Sequence, residues 1–221
     1  MSKKLLFIES SPRKTESITT DICRRFIQRL QEHNEPGESW EIEVLDLWHT
    51  KLPQMNGTTM DAKYAAFSGN PLNEEQAACW SALKSYVEQF AAADMIVIAL
   101  PTWNWGVPYV LKHYVDVVTQ PGLTFNWHPE QGYIPVLPPR DAVVVTSSGG
   151  DYTEGSGNEH EDYAYRYIKM WLSSCMGCRV NALHMTSTAA GPEALDAAYA
   201  KAEAGINALA GELARYRFAS A

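Results

Sequence analysis

The sequence has no run of apolar residues approaching the roughly 18 that a membrane-crossing helix needs. Its first stretch, MSKKLLFIESSPR, holds only four apolar residues in a row, short of the roughly 7–15 in the apolar region of a secretory leader. Both absences point to a soluble, cytoplasmic protein without a membrane partner. Positive charge is scarce as well: 18 lysines and arginines stand against 26 aspartates and glutamates, a net charge of -8. Such a surface repels a phosphate polyanion, which disfavours nucleic acid as a partner. Cysteine is limited to four residues. Cys23 and Cys79 fall at helical positions among apolar neighbours and read as buried thiols. Cys175 and Cys178 spell C-x-x-C, but at the end of a helical run, whereas a redox motif opens a helix where the dipole lowers a thiol pKa. No second C-x-x-C or nearby histidine pair completes a zinc site, so no metal is expected. Neither the GK[ST] phosphate loop nor G-x-G-x-x-G occurs. Internal repeats, low-complexity tracts and breaks in composition are also missing, and residues 1–221 read as one domain.

What is present is a globular composition, 46% hydrophobic and 20% charged over 221 residues, enough for a substantial core. Strand and helix signals alternate. Lys4–Ile8, Met95–Leu100, Ala142–Thr146 and Val180–Met185 are short apolar runs of buried-strand type, and Trp40–Leu47 alternates apolar with acidic residues as an edge strand does. Ser17 precedes an i, i+4 stripe of Ile18, Ile22, Phe26 and Leu30. Asn73 starts a helix striped by Trp80, Leu83, Val87 and Phe90, and another follows Pro108. A helix is expected from about Asp162 to Met176, and Gly191-Pro192-Glu193 opens the last one. Residues 48–72 show little periodicity and read as a long functional loop. Five strands each followed by a helix imply an α/β fold: a doubly wound, five-stranded parallel sheet of flavodoxin-like order 2-1-3-4-5, with helices on both faces.

In such a sheet the ligand sits beyond the carboxyl ends of the strands, where the strand order reverses. Three loops leave those ends. The first, Ser10 to Thr19, joins a buried strand to a helix N-terminus, and five of its ten residues bear hydroxyls. Free amides and the helix dipole there suit a phosphate, although the same residues also describe an ordinary serine-rich turn with Ser17 as helix cap. The second, Pro101-Thr102-Trp103-Asn104-Trp105-Gly106, sets two indoles around one Asn as flat walls for a planar ligand. Plugging of the sheet end by the tryptophans is the plainer alternative. The third, Thr146-Ser147-Ser148-Gly149-Gly150, has adjacent glycines that let backbone amides approach a ligand. A phosphate site, a planar slot and an amide edge together fit flavin mononucleotide (FMN) better than other common cofactors.

These loops resemble the FMN-dependent NADH azoreductase and NAD(P)H quinone oxidoreductase family. The first meets its S-S-x-x-x-x-x-S-x-S/T pattern at Ser10, Ser11, Ser17 and Thr19. The second stands where the family has P-M-Y-N-F, with Trp103 and Trp105 in place of Tyr and Phe. Leu111-Lys112 through Asp116 to Gly122-Leu123-Thr124-Phe125 resembles L-K-x-x-x-D…G-x-T-F. The third stands for S-R-G-G, with Ser148 in place of the frequent Arg. The likeness runs over nearly the whole chain and is most specific from Pro101 to Phe125. It implies FMN phosphate held at Ser11, Ser17, Ile18 and Thr19, and a flavin ring against Pro101, Thr102, Trp103, Asn104 and Trp105 and the Ser147–Gly150 turn. It also implies a homodimer with the site at the subunit boundary.

The flavin would carry the chemistry, so no catalytic side chain is expected. A nicotinamide, from NADH or NADPH, would pass hydride to it and leave before an azo compound or quinone takes the same slot. Trp105, Phe125 and Trp127 are the expected substrate wall, and Asn104 holds the ring edge. The uncharged Ser148 favours NADH over NADPH. His128 reads as a bystander more readily than a proton donor. His113 is placed to reach a subunit partner, and Lys112 reads as a solvated face. Tyr163, Tyr167 and Trp171 form a packing or interface stripe, and the acids of 151–162 a solvated run. An FMN-binding electron carrier or flavin-sensing module without its own NAD(P)H turnover is the alternative. A serine hydrolase is disfavoured because G-x-S-x-G is missing and His184 falls within a strand.

Overall fold

The computed structural model describes residues 2–216. Strands β1 (Ser2–Glu9), β2 (Ser39–Asp46), β3 (Met95–Pro101), β6 (Arg140–Ser147) and β7 (Cys178–Met185) form one parallel sheet in the order β2-β1-β3-β6-β7. Counting sheet strands alone, this is the expected 2-1-3-4-5. β3 and β6 are buried almost throughout while β2 alternates at the edge, which is why the former read as continuous apolar runs.

Successive side chains of a strand point to opposite faces, and each face has its own core. Leu6, Ile8, Ile96, Ile98 and Val144 pack under helices α3 (Glu74–Ala92), α4 (Tyr109–Val118) and α5 (Tyr163–Met170). Leu5, Phe7, Val97, Val143 and Val145 pack under α1 (Ile18–Glu32) and α6 (Pro192–Tyr216). The expected start signals hold. Ser17 caps α1 by accepting from the Thr20 amide at 3.3 Å, and Asn73 with Gln76 forms a reciprocal capping box on α3.

Three expectations are corrected. Residues 48–72 are not one long loop, because α2 (Gly57–Phe67) lies within them, capped by Asn56 and packed against α3. Its buried residues are Thr59 and Ala62, so it carries no large apolar stripe to read. Residues 125–135, outside the five expected strands, form a two-stranded antiparallel hairpin, β4 (Phe125–His128) and β5 (Gly132–Pro135). The helix expected to Met176 loosens after Met170 into a five-residue π turn, Trp171–Cys175.

Candidate active site

β3, β6 and β7 end level with one another, since Pro101 pairs with Ser147 and Ser147 with Met185, and β1 ends at the same edge with Glu9 opposite Ala99. The three loops therefore open on one edge. In the first, the buried Ser10 hydroxyl donates to the Ala99 carbonyl at 2.6 Å and ties the loop to β3. Trp48 donates its indole N–H to the Ser10 carbonyl at 2.9 Å. Ser11, Ser17, Thr19 and Thr20 are all buried, which a hydroxyl tolerates only with a partner. Ser17 Oγ and Thr19 Oγ1 lie 3.1 Å apart, and Ser17 Oγ already accepts from the Thr20 amide. Whichever of the two donates in their shared bond, the other keeps a proton with no acceptor among the described residues. The Thr20 hydroxyl, one residue on, is buried without a partner. Ile18 and Thr19 open α1, where backbone amides have no intrahelical acceptor. Buried hydroxyl protons and helix-start amides that lack acceptors are what a phosphate monoester satisfies. The donor set thus fits the phosphate of FMN.

The second loop is held to the third by the Thr102 amide, which donates to the Ser147 carbonyl at 2.8 Å. Trp103 and Gly106 exchange both backbone bonds at 2.9 Å across a two-residue turn whose central residues, Asn104 and Trp105, have φ of 47° and 63°. A bulky residue in the left-handed region is strained by about 1–3 kcal/mol and persists only where its surroundings impose it. The strained turn leaves the Trp105 indole exposed, its N–H donating to Glu161 at 3.2 Å. Asn104 is exposed beside it. Trp103 is not a plug in the sheet end. It is partly exposed and leans on Trp48, with ring centroids 5.7 Å apart.

In the third loop Ser148 is consumed internally. Its hydroxyl donates to the Gly150 carbonyl at 2.8 Å and its carbonyl accepts twice from Thr188. The amides of Gly149 and Gly150 have no acceptor within the described chain, which leaves an edge of two backbone donors. A methyl group on Gly150 would lie 3.4 Å from the Tyr152 ring. The glycines thus make room for the protein's own side chains as well as for a ligand.

The expected substrate wall divides. Phe125 is buried and stacks edge-on against Tyr133, with centroids 5.2 Å apart, while Trp105 and Trp127 are exposed. His113 meets the Pro53 carbonyl at 2.7 Å, so its contact lies within the chain. Lys112 pairs with Asp116 at 2.6 Å. Trp171 is buried against Phe90 and donates to Thr119, leaving Tyr163 as the exposed member of its stripe. The acidic run is only partly a solvated face, since Asp162 caps α5 and Glu161 holds Trp105. Cys175 and Cys178 are free buried thiols, and burial pushes Cys178 up to about 12 and raises Cys175. Neither presents a thiolate at neutral pH. Cys79 is half-buried, less enclosed than its helical position implied. Among the described residues no three His, Cys, Asp or Glu side chains converge as a metal site. No helix among them is long and apolar enough to cross a membrane. Trp48, which touches both the first and second loops, was missed in the sequence because it sits in the aperiodic stretch.

A family model described as a flavodoxin-like fold matches residues 3–209. An "FMN-dependent NADH:quinone oxidoreductase 3" of Pseudomonas fluorescens is 32% identical over 217 residues, covering 97% of this chain and 99% of that protein. An "FMN-dependent NADH:quinone oxidoreductase" of Desulfotalea psychrophila is 36% identical over 170 residues, 77% of this chain and 78% of its own. The crystal structure of an FMN-dependent NADH-azoreductase from Bacillus anthracis, in complex with FMN, superposes with a TM-score of 0.80 at 26% identity. It covers 94% of this chain and 99% of its own. With a cradle of phosphate-seeking hydroxyls, an aromatic turn and a free amide edge where this architecture binds ligands, the chain belongs to the flavodoxin-like family of FMN-dependent NADH:quinone oxidoreductases.

Proposed function

We propose that the protein binds FMN and transfers two electrons from NADH to quinones or azo compounds. For a quinone the balance is NADH, a proton and quinone giving NAD⁺ and hydroquinone. The observation that carries this reading is the buried pair Ser17–Thr19 with its unclaimed proton at the start of α1, facing the same sheet edge as Trp105. Bound FMN supplies the redox chemistry, accepting hydride from the nicotinamide and returning it to the acceptor. The residues position it. Ser11, Ser17, Ile18 and Thr19 hold the phosphate, and Pro101 to Trp105 and Ser147 to Gly150 flank the ring. Trp105 and Trp127 offer apolar stacking surface to either substrate.

The purified protein is expected to be yellow, to bleach on NADH under argon and to recover colour when menadione is added. Colour that NADH cannot bleach would identify an electron carrier instead. A single aromatic slot makes donor and acceptor compete for one space, so double-reciprocal plots at several acceptor concentrations should be parallel. Intersecting lines would mean that both bind together. Trp105→Ala removes stacking surface worth about 0.5–1.5 kcal/mol. It should raise both KM values roughly two- to tenfold while FMN stays bound.

We also infer a homodimer. Trp127, Tyr133, Ile134 and Val136 of the hairpin segment, with Tyr163 and Met170 of α5, expose large apolar side chains, more than a solitary surface usually gathers. Light scattering should give twice the chain mass, and 24.6 kDa at micromolar concentration would overturn the dimer.

A further inference from the structure

Beside the cradle, segment 151–162, α5, the end of β7 and α6 enclose a cavity of about 790 Å³, within the range of small-molecule sites. Arg166 and Lys169 of α5 and Lys201 of α6 line it. None of the three has a carboxylate of the described residues within 4.0 Å, and Lys169 lies over the Tyr165 ring, 5.9 Å from its centroid. The lining also includes Glu154, Glu159 and Asp162 and the rings of Tyr152 and Tyr165, the last on α5 beside Arg166. Gly205 brings the two walls together. A methyl group on it would lie 2.8 Å from Leu183 of β7, so α6 rides close on that strand and carries Lys201, one turn earlier, to the cavity.

The cavity adjoins the proposed cofactor site. A narrow crevice lined by Thr102 of the second loop and Ser148 of the third is also lined by Tyr152, Thr153, Asp162 and His184, all of which line the cavity. His184 fixes this boundary, bonded to Thr146 at 2.9 Å and edge-on to Tyr165 with centroids 4.8 Å apart. Burial lowers its pKa, so at neutral pH it adds no charge to the wall.

We propose that this cavity binds the adenosine diphosphate half of NADH while the nicotinamide reaches the ring site between the second and third loops. The assignment rests on the redox function proposed above. Three unpaired cations match a pyrophosphate. Carboxylates accept hydrogen bonds from ribose hydroxyls and repel a 2′-phosphate, which selects NADH over NADPH. The Tyr152 ring provides stacking surface for adenine, whereas the Tyr165 ring is taken up by Lys169 and His184. A quinone or azo compound gains nothing from so charged a lining.

The test uses FMN-loaded protein, ADP-ribose as a probe, and reduced nicotinamide mononucleotide as a hydride donor without the adenosine half. Calorimetry should show ADP-ribose binding that NADH analogues displace. Arg166→Ala with Lys201→Ala should weaken that binding tenfold or more and raise KM for NADH about tenfold. Turnover with the mononucleotide, the flavin spectrum and KM for menadione should not change. Failure of ADP-ribose to bind, or equal losses with both donors, would overturn the assignment. Bleaching by the mononucleotide reads the redox function alone, so its failure would condemn that function separately.

Discussion

Replacing Ser17 and Thr19 together by alanine is expected to weaken FMN binding by about 1–3 kcal/mol, up to roughly a hundredfold in Kd. The magnitude follows from what the two hydroxyls do without a ligand. They share one bond 3.1 Å long in a buried site, and one proton between them has no acceptor among the described residues. A dianionic phosphate accepts that proton as a charge-assisted bond, stronger than a neutral one. Ser17 has a second duty as the cap of α1, so its loss also costs about 0.5–2 kcal/mol of stability. The two effects separate experimentally. Thr19→Ala alone should weaken FMN binding with little change in the melting temperature of the cofactor-free protein, while Ser17→Ala lowers both. Titration of cofactor-free protein with FMN, followed by quenching of flavin fluorescence, measures the first, and thermal unfolding the second. Unchanged FMN affinity in the double variant would remove the phosphate from the start of α1.

Arg140→Ala should destabilise the fold by about 2–4 kcal/mol, a fall in Tm of roughly 5–15 °C for a chain of this size. Arg140 begins β6, is 8% exposed, and sends one guanidinium nitrogen to the carbonyls of Phe90, Ala91 and Ala93 at 2.8, 3.0 and 2.7 Å. Those carbonyls close α3, where the last turn has no amides of its own to bond. The positive charge also meets the negative end of the helix dipole, and the group lies over the Phe90 ring at 5.8 Å. Removing the side chain leaves the helix end without partners in a buried place and opens a void beneath α3. Arg140→Lys should fall between the unaltered protein and Arg140→Ala, because one ammonium can bond the same carbonyls but loses the planar group over Phe90. Arg29→Ala, which breaks only an exposed pair with Glu32, should cost under about 1 kcal/mol. Chemical unfolding of the three variants compares them directly. Equal losses for Arg140→Ala and Arg29→Ala would show that the carbonyl contacts contribute little.

Legibility in the sequence followed the range of the interaction. Apolar runs at Met95–Leu100 and Ala142–Thr146 read correctly as strands because central parallel strands are buried on both faces, and burial is written directly into local composition. The start of α1 was legible for the same reason, since a cap, a helix N-terminus and a hydroxyl cluster lie within ten residues. α2 escaped notice because its buried residues are Thr59 and Ala62, which leave no apolar period. The hairpin escaped because each strand has four residues and, of those in β4, only Phe125 is buried. Within the candidate site, Trp105 was found by its type and place, but its exposure depends on a left-handed backbone and on a bond to Glu161, 56 residues away.

The sequence by itself determined the alternation of strands and helices, hence the strand order, the edge proposed for ligands, and the three loops that meet there. Those properties rest on periodicity and capping over stretches of about ten residues, where neighbours in sequence are neighbours in space. Only the tertiary structure decided which hydroxyl proton lacks an acceptor, which aromatic rings stay exposed, and which cations stay unpaired. Arg166 and Lys201 look like any solvated charges until α6 packs against β7 through Gly205 and sets them around one cavity. Pairing and burial of polar groups depend on distances between residues far apart in the chain, and those distances exist only once the sheet and its helices have packed.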